Sequence, residues 1–112
     1  MRVKKTKFNN IRTVIDGITF ASKRESKRYS ELKLLERGNV ISDLRLQVPY
    51  TLIPAQKGGL RNELALKYVA DFVYYSKLVN HTIIEDVKGM LNPLYVAKRK
   101  LMKQIGYEIT EI

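Results

Sequence analysis

Apolar and polar positions are patterned most tellingly over two neighbouring stretches. From residue 64 to residue 75, one parity carries Leu66, Tyr68, Ala70, Phe72 and Tyr74. The other carries Ala65, Lys67, Val69, Asp71, Val73 and Tyr75. Both parities are largely apolar, which predicts a long central strand covered on both faces. Asp71 is then a carboxylate inside a covered strand, where acids are rare unless paired or bound to metal. Residues 82–88 predict the partner strand, ended by Gly89, with 77–80 as the turn between. If Ser76 stands opposite His81, Asp71 falls directly across from Asp86, with Cβ atoms ~4.5–5.5 Å apart. Lys88 lies two residues on and shares that face, while Glu85 alternates to the other. A slip of one residue would instead bring Glu85 or Val87 opposite Asp71.

The flanking segments carry helix and turn signals. Asp16-Gly17 between two β-prone runs predicts a tight hairpin. Ser22 with Glu25 three residues on is a capping-box pattern opening a helix to about Arg37, with Gly38 as a left-handed cap. Tyr29, Leu32 and Leu35 form its inner stripe. Glu25 falls in that arc, Glu31 at its edge, and Glu36 in the last turn, free to swing to solvent. From Asp43, Leu44, Leu46 and Val48 alternate with Arg45 and Gln47, and Pro49 predicts a bend, an edge or a strand start. Gln47 is a polar residue able to face a substrate, although a solvent-facing strand position accounts for it too. Residues 55–63, with Gly58-Gly59, read as an exposed loop in which Lys57 and Arg61 can reach phosphate. Asn92-Pro93 are an N-cap and first-turn pair for a second helix. Leu94, Ala97, Leu101 and Ile105 are its expected inner stripe and Gly106 its end. Residues 107–112 complete a strand–helix–strand crossover, predicting parallel pairing with the 82–88 strand.

Composition narrows the chemistry. The 112 residues make one small domain, 45% hydrophobic and 29% charged, divided into a basic N-terminal arm over 1–12 and a single domain over 13–112. With no cysteine and one histidine, His81, thiolate and two-histidine metal sites are excluded. No apolar run reaches the roughly 20 residues of a membrane span, and the basic N-terminus lacks the apolar segment of a signal peptide, so a cytoplasmic protein is expected. Lys and Arg number 21 against 11 Asp and Glu, a net charge of +10. Such a surplus points to a polyanion, nucleic acid first, because counterion release rewards clustered cations. The candidate contacts are Lys4, Lys5 and Lys7 of the arm, Arg24 and Lys27 on the first helix, and Lys98, Arg99, Lys100 and Lys103 on the second.

Asp71, Asp86 and Glu25 are hard oxygen donors suited to Mg²⁺ or Mn²⁺. Such an ion polarises a scissile phosphate and lowers the pKa of water. Lys88 would then position that water or stabilise charge on the phosphorane. Glu25 has two readings, a capping-box residue or a third carboxylate at the site. Asp86 and Lys88 also admit a simple ion pair at a strand end.

At these residues the chain resembles the PD-(D/E)XK nuclease superfamily. The first acid is Asp71 in Ala70-Asp71-Phe72, where Ala70 replaces the nominal proline. The second element is Asp86-Val87-Lys88, followed by Gly89, and the helix glutamate matches Glu25. The likeness to small phage- and prophage-borne members of that superfamily extends through residues 16–23, Tyr29, Leu32, Asp71-Phe72 and residues 85–89. The resemblance implies an α+β fold, a restriction-endonuclease-like αβββαβ core preceded here by a short β-hairpin. It further implies Mg²⁺-dependent endonucleolytic cleavage of DNA, with Glu25, Asp71, Asp86 and Lys88 as catalytic residues and the three acids as metal ligands. Relatives of this size include Holliday-junction resolvases, many of them homodimers, which makes branched DNA the expected partner. No small-molecule cofactor is expected. The competing expectation is a basic DNA-binding accessory module that uses the same fold without catalysis.

Overall fold

The structure, a computed structural model, describes residues 3–5, 11–87 and 91–112. It is an α+β protein. A ribbon of β1 (Val3–Lys5), β2 (Ile11–Ile15) and β3 (Ile18–Phe20) leads into α1 (Lys23–Arg37). Three antiparallel strands follow, β4 (Ile41–Ile53), β5 (Leu66–Ser76) and β6 (His81–Asp86), and then α2 (Pro93–Gln104) and β7 (Ile109–Glu111). After the ribbon the elements therefore run α-β-β-β-α-β. The main sheet has the order β4-β5-β6-β7, with β7 parallel to β6.

The ribbon turns at Asp16 and Gly17, with φ of 54° and 76°. The φ > 0 pair is what a two-residue type I′ turn requires. Val3–Lys5 adds a third strand through pairing with β2, so this part of the arm is extended and hydrogen-bonded. Lys7 lies outside the described residues.

α1 begins as the sequence predicts, with Ser22 Oγ accepting the Glu25 N–H at 3.2 Å. Its end differs by one residue. Gly38 has φ −79°, and Asn39 takes the left-handed conformation at 65°. The Asn39 N–H donates to Glu36 O, and the Val40 N–H to Leu35 O, the two bonds of a Schellman motif. Asparagine tolerates that conformation because its short polar side chain can bond locally, so the glycine was not needed there.

β5 is central, as its two apolar parities require. On one side of the sheet Phe20, Tyr29, Leu32, Ile41, Phe72 and Tyr74 form a core under α1. On the other, Tyr68, Ala70, Val73 and Ile84 pack with Tyr95 and Met102 of α2. Pro49 sits within β4 on the sheet edge, where a missing N–H costs no ladder bond.

The phase of α2 differs from expectation. Its buried residues are Tyr95 and Met102, while Leu94 and Ile105 are 60% and 47% exposed. Apolar residues occur on both sides of this helix, and periodicity alone chose the wrong side. The Tyr95 hydroxyl donates to Glu111 Oε2 at 2.6 Å, a partner that helical phase cannot reveal. Among the described residues no helix is long and apolar enough to cross a membrane.

Candidate functional site

The β5–β6 hairpin has the four-residue turn and the register that place two acids together. Ser76 pairs with His81, and the ladder runs to Phe72 opposite Glu85. One step further, Asp71 and Asp86 occupy facing positions. The backbone ladder ends there, and the Asp71 side chain takes over. Its Oδ2 accepts the Val87 N–H at 2.8 Å, and its Oδ1 accepts the Gln47 amide at 3.3 Å. Gln47 has φ 52° within β4, a kink in the edge strand between the pairs Leu46–Phe72 and Val48–Ala70. The alternation of β5 also breaks here. Tyr68 and Ala70 belong to the α2-side core, whereas Phe72, of the same parity, belongs to the α1-side core.

The strands part into a cleft of about 340 Å³ lined by Glu25, Tyr68, Asp71, Asp86, Tyr95 and Lys98, among others. Glu25 comes from the first turn of α1, and its backbone is held by Ser22. Its side chain also borders a second cleft with Gln47 and Asp71. Glu25 thus takes part in the helix cap through its N–H and also lines both clefts with Asp71, so the cap does not use up its carboxylate. Lys88 lies outside the described residues.

The donor chemistry fits a hard divalent cation, since Glu25, Asp71 and Asp86 offer carboxylate oxygens to one space. Among the described residues no three such side chains already converge as a preformed cage, and both Asp71 oxygens are engaged by protein donors. Closing them around an ion would require side-chain rearrangement at the cleft.

Glu85 takes the other face, as strand parity requires. It is 1% exposed and accepts from Arg28 Nε at 2.8 Å and Nη2 at 2.6 Å. The Tyr74 hydroxyl donates to the same carboxylate. That bonding raises the Arg28 guanidinium above its ordinary value. Burial, and then the bond to Glu85, pushes the Tyr74 phenol up to about 12. Arg28 is one helical turn from Glu25, and Glu85 adjoins Asp86. The pair therefore ties α1 to β6 close to the positions of Glu25 and Asp86 in the chain.

The cationic candidates are dispersed. Arg24 donates to Ile112 O at 3.1 Å, and Lys27 is exposed on α1. Lys100 and Lys103 are exposed on α2, while Arg99 is paired with Glu111 at 3.0 Å. Lys98 turns into the cleft. For Lys4 and Lys5 the backbone strand alone is described.

Two tyrosines of the cleft had no distinguishing signal in the sequence. Tyr68 reads as one more apolar strand position and Tyr95 as a helix residue off the expected stripe. Tyr68 is 4% exposed, and its hydroxyl has no hydrogen-bond partner among the described residues.

Residues 5–110 match a family described as "protein of unknown function (DUF1064)", and the chain belongs to that family. No curated protein matches it, and no solved structure does.

Proposed function

We propose that this DUF1064-family chain is a Mg²⁺- or Mn²⁺-dependent DNA endonuclease of the PD-(D/E)XK type. The observation that carries the reading is that Asp71 and Asp86, from facing positions of two strands, share one cleft with Glu25 of α1 in a protein of net charge +10. Nuclease chemistry on a phosphodiester needs this combination of carboxylates for a cation and a basic exterior for the polyanion.

Asp71, Asp86 and Glu25 would hold the ion, which would supply Lewis acidity toward the phosphate and acidify water. Lys88, two residues beyond Asp86, is assigned the task of orienting the attacking water or stabilising charge on the phosphorane. Arg24, Lys27, Lys100 and Lys103, with the basic arm, hold the DNA backbone. Branched or junction DNA is the proposed substrate, cut by a homodimer in the cytoplasm of a bacterial host during phage or prophage DNA processing. This assignment rests on the family resemblance.

A second reading is favoured by one observation. Both Asp71 oxygens are already bonded to protein donors, as expected of a structural aspartate in a basic DNA-binding module without catalysis. Plasmid and four-way-junction DNA incubated with Mg²⁺, Mn²⁺ or chelator separates the two. Metal-dependent cleavage that disappears in Asp86→Ala supports the nuclease. Salt-sensitive binding without cleavage, equal in both proteins, supports the module.

A further inference from the structure

Three features on the α2 side of the cleft remain unexplained by a metal site. The first is the Tyr68 hydroxyl, fully buried and without a hydrogen-bond partner among the described residues. A buried hydroxyl left unpaired is costly and calls for a partner. The second is Lys98, which lines the cleft and makes no ion pair among the described residues, in contrast to its neighbour Arg99. The third is the N-terminus of α2, a 12-residue helix with no acid in its first turn. Its Asn92 and Leu94 also border the cleft; Pro93 has no N–H and Asn92 Oδ1 takes the Tyr95 N–H, so this end offers the Leu94 N–H and the helix dipole. Helix N-termini favour anions through their amide groups and dipole. All three features therefore bring positive or donating groups to the same cleft that Glu25, Asp71 and Asp86 line.

We propose that Tyr68, Lys98 and the first turn of α2 form a phosphate-binding subsite, which holds a non-bridging oxygen of the DNA strand lying in the cleft. The proposal rests on the nuclease reading for the identity of the strand, but not on its being cut. Tyr68 acts as a donor. Its phenol, protonated at neutral pH as any tyrosine is, is held higher still by burial and then by the Asp86 carboxylate. Phosphate oxygens are acceptors only, which matches a donor of this kind. The Asp71 and Asp86 carboxylates repel a phosphate, so the subsite fills best when a divalent cation lies between.

The test is DNA binding in Ca²⁺, measured by fluorescence anisotropy with a labelled duplex and a labelled four-way junction, beside melting of the ligand-free protein. Tyr68→Phe leaves the net charge unchanged, so a loss of affinity cannot come from counterion release. The expected result is about tenfold weaker binding, the scale of one hydrogen bond to a charged group. Ligand-free Tyr68→Phe should melt at the wild-type temperature or higher, because the variant removes an unsatisfied buried hydroxyl. Lys98→Gln should weaken binding more than Lys103→Gln, which removes the same charge from an exposed position outside the cleft. Affinity within twofold of wild type for Tyr68→Phe, or equal losses for the two lysine variants, overturns the subsite. So does a ligand-free Tyr68→Phe that melts well below wild type, since the hydroxyl would then be structural. Parallel digestion in Mg²⁺ keeps the two ideas apart. Binding that follows the expected pattern without any cleavage removes the nuclease and leaves the subsite. Undiminished cleavage and affinity in Tyr68→Phe and Lys98→Gln removes the subsite and leaves the nuclease.

Discussion

Replacing Arg28 by methionine should be among the most damaging single changes in this protein. The Glu85 carboxylate is 1% exposed and takes two hydrogen bonds from Arg28, at 2.8 and 2.6 Å, with a third from Tyr74. Methionine fills much of the arginine stem's volume but leaves a buried carboxylate with the Tyr74 hydroxyl as its one remaining side-chain donor among the described residues. Breaking a buried pair by removing one partner costs about 3–5 kcal/mol, a large share of the 5–15 kcal/mol that typically holds a domain folded. At an unfolding entropy of about 2.1 cal/mol/K per residue, a chain of 112 residues should lose roughly 13–21 °C in Tm.

The double-mutant cycle gives the sharper test. Glu85→Gln removes the charge and keeps an acceptor for the Tyr74 hydroxyl. The double variant, Arg28→Met with Glu85→Gln, buries no unpaired charge and should recover at least half of the Arg28→Met loss. That corresponds to a coupling energy of about 2 kcal/mol or more. Urea titrations of the four proteins measure it. An Arg28→Met cost under about 1 kcal/mol, or additive single effects, would refute the claim that this pair is a buried, mutually dependent unit.

Asp71→Asn and Asp71→Ala should separate two roles of one residue. On the proposed nuclease reading, both should lose metal-dependent cleavage by about a hundredfold or more. Only the alanine variant gives up the acceptor for the Val87 N–H, so it should also lose about 1.5–3 kcal/mol in urea titrations. Asn39→Ala should cost about 1–2 kcal/mol because of the residue's left-handed φ of 65°, whereas Asn39→Gly should fall within a few tenths of wild type in thermal melts. Asn92→Ala should cost about 1 kcal/mol through loss of the Tyr95 N–H acceptor at 2.8 Å. The Tyr74 phenol, pushed up to about 12 by burial and its bond to Glu85, should make stability fall with rising pH. The unfolded chain loses this proton first, near pH 10. The contribution is therefore complete below about pH 10 and disappears between about 10 and 12. Urea midpoints measured across that window should show less of this fall in Tyr74→Phe.

What could be read from the chain, and what could not, divides by the range of the interaction. The hairpin register was legible because a four-residue turn and two-residue alternation are local rules, and they bring Asp71 to Asp86 without knowledge of the rest. Ser22 and Asn92 as helix starts are equally local. The phase of α2 was not legible, because apolar residues occupy both of its sides and the choice depends on the sheet residues Tyr68, Ala70, Val73 and Ile84 against which Tyr95 and Met102 pack. The Arg28–Glu85 pair spans 57 residues. Nothing near Arg28 distinguishes it from Arg24 or Lys27, which remain exposed. Tyr68 is harder still, because its meaning lies in an absent partner, and an unsatisfied hydroxyl leaves no periodic trace. The division also bears on the site. The carboxylate wall is built from strand positions fixed by local pairing, whereas Tyr68, Lys98 and the end of α2 are brought to it by tertiary packing. On the proposed nuclease reading, a cation at the first wall would give a reason for the second, since a phosphate could enter a cleft that holds Asp71 and Asp86 only with their charge offset and donors ready to receive it.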